Sequence, residues 1–138
     1  MIAYVDSSVL LRVVLGQPDR LPEWEGIDRG VTSALTRVEC LRTLDRQRVQ
    51  SGLGEALYAE RRGLLLAYLD RLDRVALSAA VLSRASDPFP TPLGTLDAFH
   101  LATALAWKRG RESDLVMATH DCQLATAARA TGFEVFGS

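Results

Sequence analysis

With 138 residues, 15.1 kDa, 48% hydrophobic and 24% charged residues, the chain has the make-up of one globular domain over residues 1–138, not of a disordered segment or a repeat array. The formal net charge of −1 excludes a surface built as a whole to attract polyanions, so a nucleic-acid ligand would need a local site. No apolar run approaches the roughly 20 residues that span a bilayer, and the opening MIAYVDSSVLLRVV has no basic leader, so a cytoplasmic protein with no membrane contact is expected.

Ile2 to Val5 is a short apolar, β-forming run ending at Asp6, and Ser7 or Ser8 is placed to cap a helix carrying Val9, Leu10, Val13 and Val14. After a loop marked by Gly16, Pro18 and Pro22, a strand is predicted around Val31 to Ser33. A helix then runs from near Thr36 to about Gln50, with Val38, Leu41, Asp45 and Val49 on one side and Gly52 as its stop. Leu53 to Leu72 reads as a longer helix with Leu57, Leu64, Leu65 and Leu69 among charged residues, and Val75 to Leu77 as a strand.

Ser78 caps a predicted helix over Ala79 to Ser86, and the prolines of DPFPTPLG force a loop after it. Thr95 is placed to cap the helix LDAFHLATALAWKRG, whose Lys108, Arg109 and Gly110 suit a C-terminus. A strand Leu115 to Ala118, a helix through Ala130 stopped by Gly132, and a strand Glu134 to Phe136 complete the chain. Strands alternating with helices call for an α/β sandwich of three layers, α/β/α, with a mainly parallel, roughly five-stranded sheet and a ligand site outside the carboxyl ends of the strands.

Asp6 and Asp121 each follow a strand and precede a helix, which brings both to one rim although capping alone would also explain each. Asp97 shares a helical face with Leu101 and Leu105 at i, i+4 and i+8, so its carboxylate points toward the core side, with a first-turn role at the helix dipole as the plainer account. Glu39 lies early in its helix beside Val38 and Leu41. Carboxylates near 4 Å apart repel by roughly 4 kcal/mol at an effective dielectric of about 20, so a cation belongs among them. Clustered hard oxygen donors without histidine or cysteine suit Mg²⁺, with Mn²⁺ able to substitute. Such an ion lowers the pKa of a water for in-line attack on a phosphodiester. Cys40 and Cys122 have no CxxC spacing and support neither a zinc site nor a disulfide scaffold.

The four segments YVDSSVLLR, TSALTRVECLR, LDAFHLATAL and ATHDCQLATAA resemble, in order, the four acidic motifs of PIN-domain proteins over nearly the whole chain. The resemblance assigns Asp6, Glu39, Asp97 and Asp121 as the catalytic, metal-holding quartet. It is nearest to the VapC toxins, which implies a PIN-like fold and Mg²⁺-dependent endoribonuclease activity. It also implies an RNA substrate, homodimerisation, a VapB-like antitoxin partner, and DNA contact only through that antitoxin. Thr119 and Ser8 match hydroxyl positions that support the acids. Cys122 and Gln123 follow Asp121, so a fifth acidic ligand is not expected.

His100 and His120 are given no catalytic role, packing being the commoner fate of the first and rim exposure of the second. Arg12, Arg37, Arg42 and Arg46 suit RNA phosphates or the antitoxin as well as a solvated helix face. Trp24, Phe99 and Trp107 are read as packing residues. An aspartyl phosphatase fits poorly, because Ser8 stands where its second aspartate is needed. The alternative to a nuclease is a silent PIN-like module that binds RNA or a partner without cutting, and the intact quartet argues against it.

Overall fold

Four residues between Met1 and Asp6 form β1 (Ile2–Val5), and Ala3, Tyr4 and Val5 are fully buried, the uninterrupted apolar pattern of a strand covered on both faces. The computed structural model, which describes residues 1–138, places β1 at the centre of a five-stranded sheet ordered β3-β2-β1-β4-β5. Its partners are β2 (Arg29–Ser33), β3 (Asp73–Val75), β4 (Val116–Ala118) and β5 (Val135–Phe136), and every pairing is parallel.

The helices are α1 (Ser7–Val14), α2 (Ala34–Gln50), α3 (Glu55–Arg71), α4 (Ala79–Ser86), α5 (Thr95–Lys108) and α6 (Cys122–Ala130), with a short 3-10 turn at Pro22–Gly26. Period-2 alternation divides the core into two halves. Ala3 and Val5 of β1 and Val116 and Ala118 of β4 pack with Val9 and Leu10 of α1, Cys40 and Leu44 of α2, and Leu65 and Leu69 of α3. Tyr4 and Met117 turn the other way, onto Leu101, Ala104 and Trp107 of α5 and Leu124 and Ala127 of α6. The α/β/α sandwich is therefore as the sequence reads, with helices on both faces.

The chain moves from β1 outward through β2 to β3, then crosses back through α4 and α5 to enter β4 on the other side of β1. That reversal opens a crevice at the carboxyl ends of β1 and β4, where parallel α/β sheets hold their ligands. The Asp6 amide donates to the Ala118 carbonyl at 3.0 Å, extending the ladder by one bond and fixing Asp6 at this point.

Several details differ from the sequence reading. The inward stripe of α2 is Thr36, Cys40 and Leu44, while Val38 and Val49 are 53% and 66% exposed. The stripe over Val38, Leu41, Asp45 and Val49 is thus about two-fifths of a turn off at roughly 100° per residue, because hydroxyl and thiol groups at the buried positions carry little hydropathy signal. Helix α2 starts at Ala34 with Ser33 as its cap, two residues before Thr36. On α3, Leu65 and Leu69 face inward but Leu57 and Leu64 are exposed. The β3 strand is Asp73–Val75 instead of Val75 to Leu77, its register set by pairing with β2 and by an Arg29–Asp73 ion pair at 2.6 Å. Gly94, not Thr95, holds the N-cap position of α5. Asp6, not Ser7 or Ser8, holds that of α1. Ser78 caps α4 as expected. No helix is long and apolar enough to cross a membrane.

Candidate active site

Asp6 is only 3% exposed, and although it stands at the N-cap of α1 its carboxylate caps nothing. Oδ2 accepts instead from Ser8 Oγ at 2.7 Å and from Thr119 Oγ1 at 2.9 Å. Each hydroxyl spends its one proton on Asp6 and receives an amide in return: Ser8 Oγ from His120 N–H and Thr119 Oγ1 from Asp121 N–H, both at 3.0 Å. Two hydroxyl relays therefore tie the β4–α6 turn to the carboxylate at the end of β1. A carboxylate this deeply buried needs such donors, since an unsatisfied buried charge is strongly destabilising.

Asp121 is the N-cap of α6, with Oδ1 accepting from Leu124 N–H at 2.9 Å. Capping is thus a real role for Asp121, and it occupies one oxygen while the side chain still lines the cleft. Asp97 is the third residue of α5, in its first turn. Its carboxyl is pushed up to about 6, first by burial and then by the charges of Asp121, Asp6 and Glu39, against a smaller lowering by His100. Burial and repulsion from the neighbouring acids thus both act on this first-turn carboxyl.

Glu39 reaches the cluster from the opposite helical layer. Its Oε1 accepts from His100 Nε2 at 2.5 Å, and His100 Nε2 lies 3.6 Å from Asp6 Oδ1. His100 is wholly buried, and its Nδ1 meets the Tyr4 hydroxyl at 2.6 Å. Burial alone would lower the imidazole pKa. The hydrogen bond to Glu39 and the charges of Asp6, Glu39 and Asp97 override it and leave the pKa raised. Burial, followed by the charges of Asp6 and Glu39, holds the Tyr4 hydroxyl well above its usual range, and it stays protonated. The same causes push the Cys40 thiol up to about 12, which leaves it inert.

Asp6, Glu39, Asp97 and Asp121 thus line one open cleft of about 430 Å³ together with Ser7, Ser8, Gly94 and Thr95, and Leu96 is its one apolar side chain. All four acids singled out in the sequence meet there. No three of the acidic, histidine or cysteine side chains close into a ready-made metal cage. The available donors are carboxylate oxygens, and the one imidazole nitrogen facing them is engaged by Glu39. This set fits a hard, hydrated divalent ion that takes a few carboxylates and keeps water for its remaining positions.

The sequence reading passed over His100 and Tyr4. The available signals were a histidine three residues after Asp97 in an otherwise apolar helix stretch and a hydroxyl-bearing aromatic two residues before Asp6. His120 stands beside the cleft without lining it, its Nδ1 bonded to the Gly137 carbonyl at 2.9 Å. Arg12, Arg37, Arg42 and Arg46 do not line it either. Arg12 pairs with Asp19 at 2.8 Å, Arg42 with Asp45 at 3.1 Å, and Arg46 bonds Thr43. Trp24 and Trp107 pack on the two halves of the core as expected. Cys40 is buried, Cys122 is exposed, and neither forms a disulfide.

The family model of the PIN domain matches residues 3–138. Ribonuclease VapC47 of Mycobacterium tuberculosis (strain CDC 1551 / Oshkosh) is 32% identical over 137 residues, covering 94% of this chain and 92% of the relative. Ribonuclease VapC35 of the same strain is 33% identical over 141 residues, covering 96% and 93%. Among solved structures, VapBC2 from Rickettsia felis bound to a DNA fragment from its promoter superposes with a TM-score of 0.70 at 12% identity over 99% of both chains. A toxin–antitoxin complex from Klebsiella pneumoniae superposes at 0.62 with 13% identity, covering 94% of this chain and 92% of its own. The structural likeness, at such low identity, bears on the fold alone. The chain belongs to the PIN-domain family and groups with its VapC members.

Proposed function

We propose that this protein is a metal-dependent endoribonuclease acting as the toxin of a type II toxin–antitoxin pair. The observation that carries the reading is the convergence of Asp6, Glu39, Asp97 and Asp121 on one polar cleft at the switch point of the sheet. The names of its relatives, ribonucleases of the VapC group, support RNA as the substrate.

Mg²⁺, with Mn²⁺ as a substitute, is the ion that this donor set fits, held by Asp6, Asp97 and Asp121 with Glu39 at its edge. When bound, the ion supplies charge neutralisation at the scissile phosphate and lowers the pKa of an attacking water. Asp6 is held rigid by Ser8 and Thr119, which fixes the geometry of the site before substrate arrives. Without the ion the Asp97 carboxyl is raised to about 6 by burial and the neighbouring acids, and a bound cation would relieve that repulsion. Asp121 contributes the oxygen that its cap leaves free.

A VapB-like antitoxin is the proposed protein partner, supported by the solved relatives, which are toxin–antitoxin complexes, one bound to promoter DNA. DNA would then reach this chain only through the antitoxin. A homodimer is proposed as well. The exposed Val38 and Val49 of α2 and Leu57 and Leu64 of α3 are apolar surface that either partner would cover.

The test is cleavage of total cellular RNA by purified, antitoxin-free protein. Discrete cuts in Mg²⁺ or Mn²⁺ that vanish with EDTA, Asp6→Asn and Asp97→Asn are expected. Folded, metal-supplied protein that cuts nothing would instead favour a binding module.

A further inference from the structure

His100 and Tyr4 have no assigned part in the chemistry, yet they form the most buried polar contact of the cleft. One hydrogen-bonded chain, Tyr4 hydroxyl to His100 Nδ1 at 2.6 Å and His100 Nε2 to Glu39 Oε1 at 2.5 Å, joins β1, α5 and α2 through a fully buried ring. Each of those elements also delivers an acid. Asp6 lies two residues beyond Tyr4, Asp97 three residues before His100, and Glu39 is the acceptor itself. Glu39 comes from the helical layer opposite α5 and has no other hydrogen-bond partner in the protein, so its Oε1 is fixed by His100 alone while its Oε2 stays unengaged.

We propose that His100, itself held by Tyr4, is a positioning residue of the nuclease site, fixing Glu39 so that one oxygen of it is offered to the cleft. Oε1 is engaged by the imidazole, which leaves Oε2 as the oxygen with no partner in the protein. Held in this way, Oε2 would be the oxygen that Glu39 offers to a bound ion or to a water in the cleft. Partners of this kind, one step removed from a metal, act by holding ligands in place. A purely packing histidine would need neither the carboxylate nor the hydroxyl at its two nitrogens.

The inference rests on the acidic cleft being the nuclease site, and the wild-type protein serves as the control for that reading. The full-length chain is compared with His100→Leu, His100→Gln and Tyr4→Phe by two readouts: Mn²⁺ affinity without RNA, by calorimetry, and kcat and KM for an RNA substrate. His100→Leu is expected to weaken Mn²⁺ binding or lower kcat by about 10- to 100-fold with KM little changed. His100→Gln, whose side-chain amide can donate to Glu39 as Nε2 does, is expected to recover most of the loss. Tyr4→Phe, which keeps the ring and removes one oxygen, is expected to show a smaller loss in the same parameters. Wild-type kcat and Mn²⁺ affinity in folded His100→Leu would overturn the proposal. Should that variant fail to fold, wild-type values in Tyr4→Phe together with no difference between His100→Gln and a folded His100→Asn would overturn it. A wild-type protein that neither binds Mn²⁺ nor cuts RNA would overturn the nuclease reading and this inference with it.

Discussion

Burial and the charges of Asp121, Asp6 and Glu39 raise the Asp97 carboxyl from 3.8 to about 6, so the metal-free native state binds this proton more tightly than the unfolded chain does. Stability is then lost as pH rises from about 4 through 6, and the full penalty is present above that. The shift corresponds to about 3 kcal/mol, reduced to about 1–2 kcal/mol by solvent screening at a half-buried site. Asp97→Asn should therefore raise the melting temperature in EDTA at pH 7.5 by several degrees while abolishing cleavage, and the gain should shrink toward nothing near pH 4. Thr119→Val keeps the shape and removes the hydroxyl that bridges Asp121 N–H to Asp6. Urea unfolding should show a loss of about 1–3 kcal/mol. Four acidic positions were legible in the sequence because strand and helix ends place them. Ser8 and Thr119 were named as supports through the family resemblance, and both donate to Asp6. The Tyr4–His100–Glu39 chain was not legible, because these residues meet only through three elements that fold together.

At the scale of elements, α2 separates what hydropathy reveals from what packing decides. Leu44 is fully buried and Val38 is 53% exposed, although both are ordinary apolar residues in one helix. Leu44→Ala should cost about 2–5 kcal/mol, and Val38→Ala should stay within about 0.5 kcal/mol in the isolated protein. A larger loss at Val38 than at Leu44 would place the helix in the register that the apolar pattern alone suggests. The β1 strand and helices α5 and α6 were legible as elements because their apolar runs are strong. The β3 strand was displaced by two residues because its three residues, Asp73–Val75, include an exposed ion-paired aspartate and carry almost no apolar signal. Beside the site, Gly137 has φ of 97°, and a Cβ there would stand 2.6 Å from the Thr119 carbonyl oxygen. Gly137→Ala should therefore lower stability and also disturb Thr119, which a melt and a cleavage assay run together would show.

For the whole molecule, a parallel, five-stranded sheet was foreseeable from the alternation of strands and helices, and so was the rim at which the acids meet; the strand order β3-β2-β1-β4-β5 was not. Which apolar residues of α2 and α3 stay exposed was not foreseeable either, since an exposed leucine and a core leucine look alike until the helix is docked. The site holds a buried imidazole as well as four acids, and chemistry led by one or the other implies different products. Attack by an activated water leaves linear phosphate ends and does not use the substrate's 2′-hydroxyl, whereas histidine-driven attack by that hydroxyl leaves a 2′,3′-cyclic phosphate. The most direct measurement is end analysis, by mass spectrometry, of a cleaved oligoribonucleotide and of the same strand carrying a 2′-deoxy sugar at the cut. Linear ends, a deoxy-substituted strand that is still cut, and loss of both cuts in EDTA are the result expected of the acidic metal site; cyclic ends that form in EDTA and are blocked by the deoxy sugar would contradict it.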